Sequence, residues 1–401
     1  MTTKKNTAKK LVSIKKSPKK LGHPMKGRDV IVKALENEGV KVIFGYPGGT
    51  SMEIHQGLTL TKKIRMVLPR HEQGGSFAAG GYARSTGEVG VCMATSGPGA
   101  TNLITGIIDA KMDSIPIVAI TGQVASTLLG SDAFQETDIM GATFPLVKHS
   151  YMIQNVEEIP RIVHEAFHIA RSGRPGPVLI DIPKNIQQQE GIADFDVSFD
   201  CPSYKPNLKP SVLQCKKAAH TIQTAKRPII YAGGGIISSG ASEELRAFAK
   251  KTGIPVTTTA MGLGAFPSND PLSLRMLGMH GAVYANIAIN HADLVIAMGV
   301  RFDDRVTGKL AEFCKNAQFI QIDIDPTEIN KNITIDVPIQ GDVKQALKIL
   351  TGYVEPKKDI KPWVKQVNEW KKEFPLEFEL KKGEIVPQSV VSDINKLAAK
   401  D

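Results

Sequence analysis

From Gly27 onward, short apolar runs alternate with segments of helical period, and this alternation restricts the chain to parallel sheets covered on both faces. VKVIFG (40–45), IRMVLP (64–69), VGVCMAT (89–95), IPIVAITG (115–122) and PVLIDIP (177–183) each read as a buried strand. Between them, Val30, Ile31, Ala34 and Leu35 share one helical face, and Ile159, Ile162, Val163, Ala166 and Ile169 mark another. Residues 187–210 lose the period and gain Pro, Ser and Asp, as a linker does. A second alternating set follows: RPIIYA (227–232), PVTTTA (255–260), DLVIAMG (293–299) and AQFIQIDI (317–324), with a last helix ending near Leu350. The fold class expected is α/β, with two consecutive doubly wound parallel-sheet domains over 25–186 and 211–352.

Residues 353–386 are charged and read as a connecting segment, with Trp363 and Trp370 on one face of an anchoring helix. Residues 387–401 look like the opening helix of a third, truncated domain, with Ser389 as its cap and Val390, Val391, Ile394 and Leu397 as its apolar face. The formal charge of +10 belongs to one end. Residues 1–28 hold nine lysines and one arginine with no acid before Asp29, and the remaining 40 basic residues balance all 40 acids. Residues 1–24 therefore read as a disordered Lys-rich tail, and the neutral remainder argues against a nucleic-acid partner. No apolar run is long enough to span a membrane. Cys92, Cys201, Cys215 and Cys314 match no zinc or disulfide spacing, so a reducing, cytoplasmic compartment is expected.

Ligands of parallel sheets bind beyond the carboxyl ends of strands, where loops are glycine-rich. Three such loops follow strands here: GYPGGT (45–50), SGPGATN (96–102) and AGGG (232–235). Singly, each reads equally well as a tight turn. Together the order GYPGG, RHEQGGSFAAGGYAR (70–84) and TSGPGATN resembles the pyrimidine-binding domain of thiamine-diphosphate enzymes. GIIDAKMDSIPIVAITGQ (106–123), LLGSDAFQETD (128–138) and SGRPGPVLIDIPKNIQ (172–187) narrow the resemblance to the catalytic large subunit of acetolactate synthase. MLGMHG (276–281), GVRFDDRVTGK (299–309) and IDIDPTEI (322–329) are similar to that family's central, FAD-binding domain.

The resemblance implies thiamine-dependent decarboxylation of pyruvate and its condensation with a second 2-oxoacid, pyruvate or 2-oxobutanoate. This is the first common step of valine, leucine and isoleucine synthesis. Glu72 would be the carboxylate that holds a proton against N1′ of the aminopyrimidine, and it is expected to lie buried among Gly and Ala. Gln135 and Lys148 would line the substrate channel, with Phe134 and Met279 as its apolar walls and Lys184 near its mouth. Lysines there suit the carboxylates of 2-oxoacids. Gly48, Gly49 and Ser96 would lie near the thiamine cofactor; His71 is expected to pack or touch cofactor. Arg174, Gly235, Gly262, His280, Arg301, Asp303, Asp323 and Asp342 would lie near FAD. Read alone, Asp303, Asp304, Arg301 and Arg305 equally fit a salt-bridged loop. The family also implies a homodimer or tetramer and a small regulatory subunit. The thiamine enzymes hold Mg²⁺ through a GDG motif and a following Asn; no GDG occurs here, so the metal ligands are expected in the third domain and none is assigned in this chain. The rivals are another flavin-bearing thiamine enzyme, such as a pyruvate oxidase, and a noncatalytic fragment that binds FAD or partner subunits.

Ala125 stands where proline is common in the family, beside the channel reached by herbicide inhibitors. Sulfonylurea inhibition is therefore expected to be weaker than in a proline-bearing relative. Inhibition curves measured side by side check this, and overlapping curves contradict it.

Overall fold

A strand buried on both faces needs helices above and below it, and alternate residues of each strand must serve opposite layers. The computed structural model describes residues 22–198, 203–379 and 383–398 and shows this arrangement twice. Readings that fall on residues 1–21, 199–202, 380–382 and 399–401 lie outside the described residues. The chain divides between Tyr204 and Lys205 into two units.

The first unit holds β1 (Val42–Gly45), β2 (Arg65–Val67), β3 (Gly90–Ala94), β4 (Ile117–Gln123), β5 (His149–Met152) and β6 (Val178–Pro183). They form one parallel sheet in the order β2-β1-β3-β4-β6-β5. On β3, Val91 and Met93 join the core layer under the helices Gly27–Asn37 and Ile159–Arg171. Cys92 and Ala94 join the opposite layer, under Glu72–Thr86 and Ile104–Asp113. The Glu72–Thr86 helix lies close to the sheet because Gly90 has no side chain; a Cβ there would stand 2.1 Å from the carbonyl oxygen of Ala79.

The second unit holds β7 (Pro228–Ala232), β8 (Val256–Thr258), β9 (Ser273–Met276), β10 (Leu294–Met298), β11 (Gln318–Asp323) and β12 (Val337–Gln340). All neighbours are parallel, in the order β9-β8-β7-β10-β11-β12. This is the dinucleotide-fold order, with its reversal between β7 and β10. The helix Lys361–Glu373 is held to this unit by Trp363, which is buried and donates from Nε1 to the carbonyl oxygen of Pro228 at 3.0 Å. Its ring meets that of Trp370 edge-on, with centroids 5.7 Å apart.

Within the two six-stranded sheets, three strands are additions to the sequence reading: β5, β9 and β12. All three are edge strands, and their outer side chains are only partly covered, so HSYM, SLRM and VPIQ do not read as continuous apolar runs. The start of the 187–210 segment is also ordered differently from a linker. Gln187 is buried and donates to the carbonyls of Thr50 (2.7 Å) and Ile182 (2.8 Å), and Glu190–Gly191 pairs with Met25–Lys26. Ser389 does not cap the last helix. Pro387 fills its first position, and the Ser389 hydroxyl donates back to the Val386 carbonyl at 2.7 Å.

Candidate functional site

In the first sheet the strand order reverses between β1 and β3, so the loops leaving these strands diverge and open a crevice at their carboxyl ends. The loop after β1 carries Gly48, Gly49 and Thr50; the loop after β3 carries Thr95, Ser96 and Gly97. Thr50 and Thr95 tie the two together. The Thr50 amide donates to Thr95 Oγ1 (3.1 Å), the two hydroxyls lie 2.9 Å apart, and the Ser96 amide donates to Thr50 Oγ1 (2.9 Å). Gly48 is required by this closure, since a Cβ there would meet the Thr95 side chain at 2.5 Å. Gly49 faces open space and leaves room for a ligand.

Glu72 opens the Glu72–Thr86 helix beside this crevice, where a carboxylate is favoured by the helix dipole. Its Oε2 accepts from Asn102 Nδ2 at 3.0 Å, and its Oε1 lies 3.4 Å from where a Cβ on Gly99 would stand. His71 precedes it as the helix cap, with Nδ1 accepting from the Gln73 amide at 3.1 Å. The expectation of a buried Glu72 is corrected: it is half-buried, because the helix N-terminus faces the open crevice and not the sheet. Ser96 is 1% exposed, and its Oγ has no hydrogen-bond partner among the described residues. A buried hydroxyl left so is available to a ligand in the crevice.

Gln135 joins the same place from the loop after β4. Gly97 adopts φ +59°, and a Cβ on it would lie 2.8–3.0 Å from Gln135, so only glycine admits this contact. Phe134 beside it is 89% exposed. The loop keeps its shape because the Glu136 carboxylate accepts from the amides of Gly130 (2.5 Å) and Ala133 (2.9 Å), bonds that hold its carboxyl below the usual range. Ala125 starts the loop at φ −55°, a value that proline also adopts.

The two channel lysines part company. Lys148 lies just before β5, and its ammonium points toward the C-terminus of the Ile159–Arg171 helix. It donates to the carbonyls of Ile169 and Ser172 (2.7 Å to the latter) and to the Tyr204 hydroxyl (3.0 Å), and lies 5.4 Å from the Tyr204 ring centroid. The reading of Lys148 as a channel residue is therefore corrected: a cation is drawn to exposed helix carbonyls, and here it fastens Tyr204 to the first unit. Lys184 follows β6 at the carboxyl edge of the sheet, half-exposed, and its ammonium has no hydrogen-bond or ion-pair partner among the described residues. Arg174 donates from Nε to Ser114 Oγ at 2.8 Å in the same unit.

The second unit has its own crevice, at the reversal between β7 and β10. Gly233 and Gly235 follow β7, and Gly299 follows β10. A Cβ on Gly233 would stand 2.1 Å from the Gly299 carbonyl oxygen, and one on Gly235 would stand 2.6 Å from the Gly299 Cα. Backbones this close leave the floor free of side chains, as a dinucleotide needs. Gly262 packs as tightly, 2.5 Å from the Ala232 carbonyl by the same measure. Asp323 ends β11, nearly buried, and accepts from the Asp325 amide at 2.9 Å. Thr258 ends β8 with a buried Oγ1 that lacks a hydrogen-bond partner among the described residues. Asp303 caps Asp304–Thr307 and Asp342 caps Val343–Tyr353, through bonds from the amides of Arg305 (3.0 Å) and Gln345 (2.9 Å). Arg301 is half-exposed, and Met279 and His280 are exposed.

Sequence reasoning missed Thr50, Thr95 and Asn102. Thr50 and Thr95 stand inside the quoted blocks, 45 positions apart, and only the strand reversal brings them together. Asn102 closes the SGPGATN block, but its contact with a residue 30 positions away leaves no local mark.

Comparison with known proteins agrees with this geometry. Residues 25–142 match the family described as "Thiamine pyrophosphate enzyme, N-terminal TPP binding domain", and residues 215–350 match "Thiamine pyrophosphate enzyme, central domain". Acetolactate synthase 3, chloroplastic, of Brassica napus is 54% identical over 381 residues, covering 93% of this chain and 58% of the relative. Acetolactate synthase 2, chloroplastic, of Nicotiana tabacum is 54% identical and acetolactate synthase, chloroplastic, of Arabidopsis thaliana is 52% identical; each covers 93% of this chain, which spans 57% of either relative. The chain thus spans less than two thirds of the length of the curated relatives it matches. The expectation of a cytoplasmic location is overturned, since these relatives are all named chloroplastic and point to a plastid.

Removing the Lys148 ammonium leaves two helix carbonyls and Tyr204 without their shared donor. Lys148→Met is expected to lower the stability of the first unit by about 1–2 kcal/mol, and Lys184→Met to change it by less than about 0.5 kcal/mol. Urea unfolding of both variants checks the contrast.

Proposed function

The chain belongs to the thiamine pyrophosphate enzymes, on the acetolactate synthase branch, and from that premise we propose that it serves acetolactate synthesis by presenting the aminopyrimidine side of a thiamine diphosphate site. The observation that supports this most is Glu72, steadied by Asn102 at the helix start and standing 3.4 Å from where a Cβ on Gly99 would lie, on the same turn as the unpartnered hydroxyl of Ser96. The cofactor, when bound, supplies the carbon that attacks pyruvate and lets its carboxylate leave as CO₂. The chain's part is to hold and move a proton. Glu72 would keep one at N1′ of the pyrimidine, and Asn102 would fix the carboxylate oxygen that does not touch the ring. Gln135 would hydrogen-bond the reacting 2-oxoacid, Phe134 would exclude water, and Lys184 would meet the carboxylate of pyruvate or 2-oxobutanoate.

The second unit would bind FAD along the glycine floor of Gly233, Gly235 and Gly299, with Asp323 taking a ribose hydroxyl and Thr258 a further polar contact. Because the condensation is redox-neutral, the flavin's contribution is structural. Mg²⁺ would bind with the diphosphate; no group of three potential ligands gathers among the described residues, and none is assigned to it. The half-buried Glu72 and the exposed Phe134 fit a crevice completed by a second subunit, as a homodimer or tetramer with a small regulatory subunit would provide. A plastid is the compartment proposed, and branched-chain amino-acid synthesis the purpose.

The test is product formation by the native protein supplied with pyruvate, thiamine diphosphate, Mg²⁺ and FAD. Acetolactate is expected, falling at least about 100-fold in Glu72→Gln because the proton relay is lost. Acetyl phosphate or peroxide as product would instead indicate an oxidase. Retained flavin with no thiamine-dependent product would indicate a binding chain without catalysis.

A further inference from the structure

The loop that delivers Gln135 leaves the sheet at Gln123, the last residue of β4, and a buried acid stands behind it. Asp181, in the middle of β6, is fully buried and lies opposite Thr121 in register. Its carboxylate accepts from Thr121 Oγ1 at 2.6 Å and from Gln123 Nε2 at 3.0 Å. Gln123 is 2% exposed, and the rest of its amide is also engaged: Nε2 donates to the Thr137 carbonyl (3.0 Å), and Oε1 accepts from the Val124 amide (2.9 Å). One side chain thus bonds both ends of the 124–137 loop. Thr137 lies two positions from Gln135, whose backbone rests on Gly97.

We propose that Asp181 is a positioning residue: by orienting the Gln123 amide it pins the two ends of the 124–137 loop together and so sets Gln135 against the Ser96–Gly97 turn. Its own chemistry supports this. Burial, with a smaller push from Asp138, raises the carboxyl to about 6, against the bonds from Thr121 and Gln123 that lower it. The carboxylate accepts from Thr121 on one oxygen and from Gln123 on the other, and a buried carboxyl stripped of such donors is costly, so it favours the orientation in which the Gln123 Nε2 faces it. Without an acceptor there, the amide keeps only its bonds to Val124 and Thr137, and its second donor hydrogen is left buried and unpaired, which loosens its hold on Thr137.

The role of this clamp in catalysis rests on the thiamine reading above, but the clamp itself does not, so the experiment reads both. Amide hydrogen exchange is measured on the full chain for the wild type, for Asp181→Asn, and for the double variant Gln123→Met/Asp181→Leu. The double variant replaces both partners by apolar groups of similar size and leaves no orphaned charge. Asp181→Asn still accepts from Gln123 and can donate to the Thr121 hydroxyl. Loop amides 125–137 are expected to exchange at least about tenfold faster in the double variant, with strands β3 and β4 unchanged, and to stay near wild type in Asp181→Asn. If the double variant fails to fold, Gln123→Met alone is read in its place. Equal loop exchange in all proteins overturns the proposal, as does loosening confined to the sheet. In the native protein the double variant should lower kcat for acetolactate at least about tenfold, with Asp181→Asn keeping most of the wild-type value. A wild type with no thiamine-dependent activity would defeat the functional reading while leaving the exchange result to decide the clamp.

Discussion

The first unit depends on how near the backbones of its two crevice loops can come to each other and to the helix that begins at Glu72. Thr50 and Thr95 bind the loops together across the strand reversal. Gly48 and Gly97 then let Thr95 and Gln135 approach at distances that any Cβ would forbid. Behind them, Gly90 and Gly106 bring the Glu72–Thr86 helix onto the sheet and onto its neighbour helix; a Cβ at Gly106 would lie 2.2 Å from Ser76 Oγ. A methyl at any of these places would force a backbone shift costing roughly 1–3 kcal/mol, and the displaced element would carry Glu72, Ser96 or Gln135 with it. Closeness at the carboxyl edge is therefore what converts a generic parallel sheet into a site.

The second unit shows the same constraint at its own strand reversal. Its reversal between β7 and β10 is floored by Gly233, Gly235 and Gly299 and carries acids at strand and helix ends, whereas the first reversal carries one carboxylate at a helix start. A carboxylate at a helix N-terminus suits proton holding; a bare glycine floor suits a long, flat, polar cofactor. The positive charge is likewise divided by surroundings. Lys148 and Lys184 carry the same chemical group, but only the second meets no protein acceptor among the described residues and stays available to an anion.

Much of this was legible before any coordinates. The central strands read correctly because they are apolar on both faces, and the glycine loops read as strand-to-helix turns at a ligand edge. The edge strands HSYM, SLRM and VPIQ were invisible because half-covered strands do not show a continuous apolar run. Glu72 and Gln135, inside dense motifs, could be named as candidates and do stand at the crevice; Thr50, Thr95 and Asn102 could not, because their contacts span 30 to 46 positions. Lys148 was misread for the same reason: its partners, Ile169, Ser172 and Tyr204, lie on a helix end and beyond, where no local pattern announces a cation. Compartment was beyond the reach of composition, since a reduced set of cysteines fits a plastid as well as a cytosol.

The central claim is that Glu72 drives proton loss from the thiazolium carbon of thiamine diphosphate. It is tested most directly by the rate at which that carbon exchanges its proton for deuterium on the native protein, followed by proton NMR after rapid acid quench. The account predicts exchange orders of magnitude faster than in free cofactor, with Glu72→Gln returning to within about tenfold of the free rate while Lys148→Met keeps the fast one. Undiminished exchange in Glu72→Gln would contradict it.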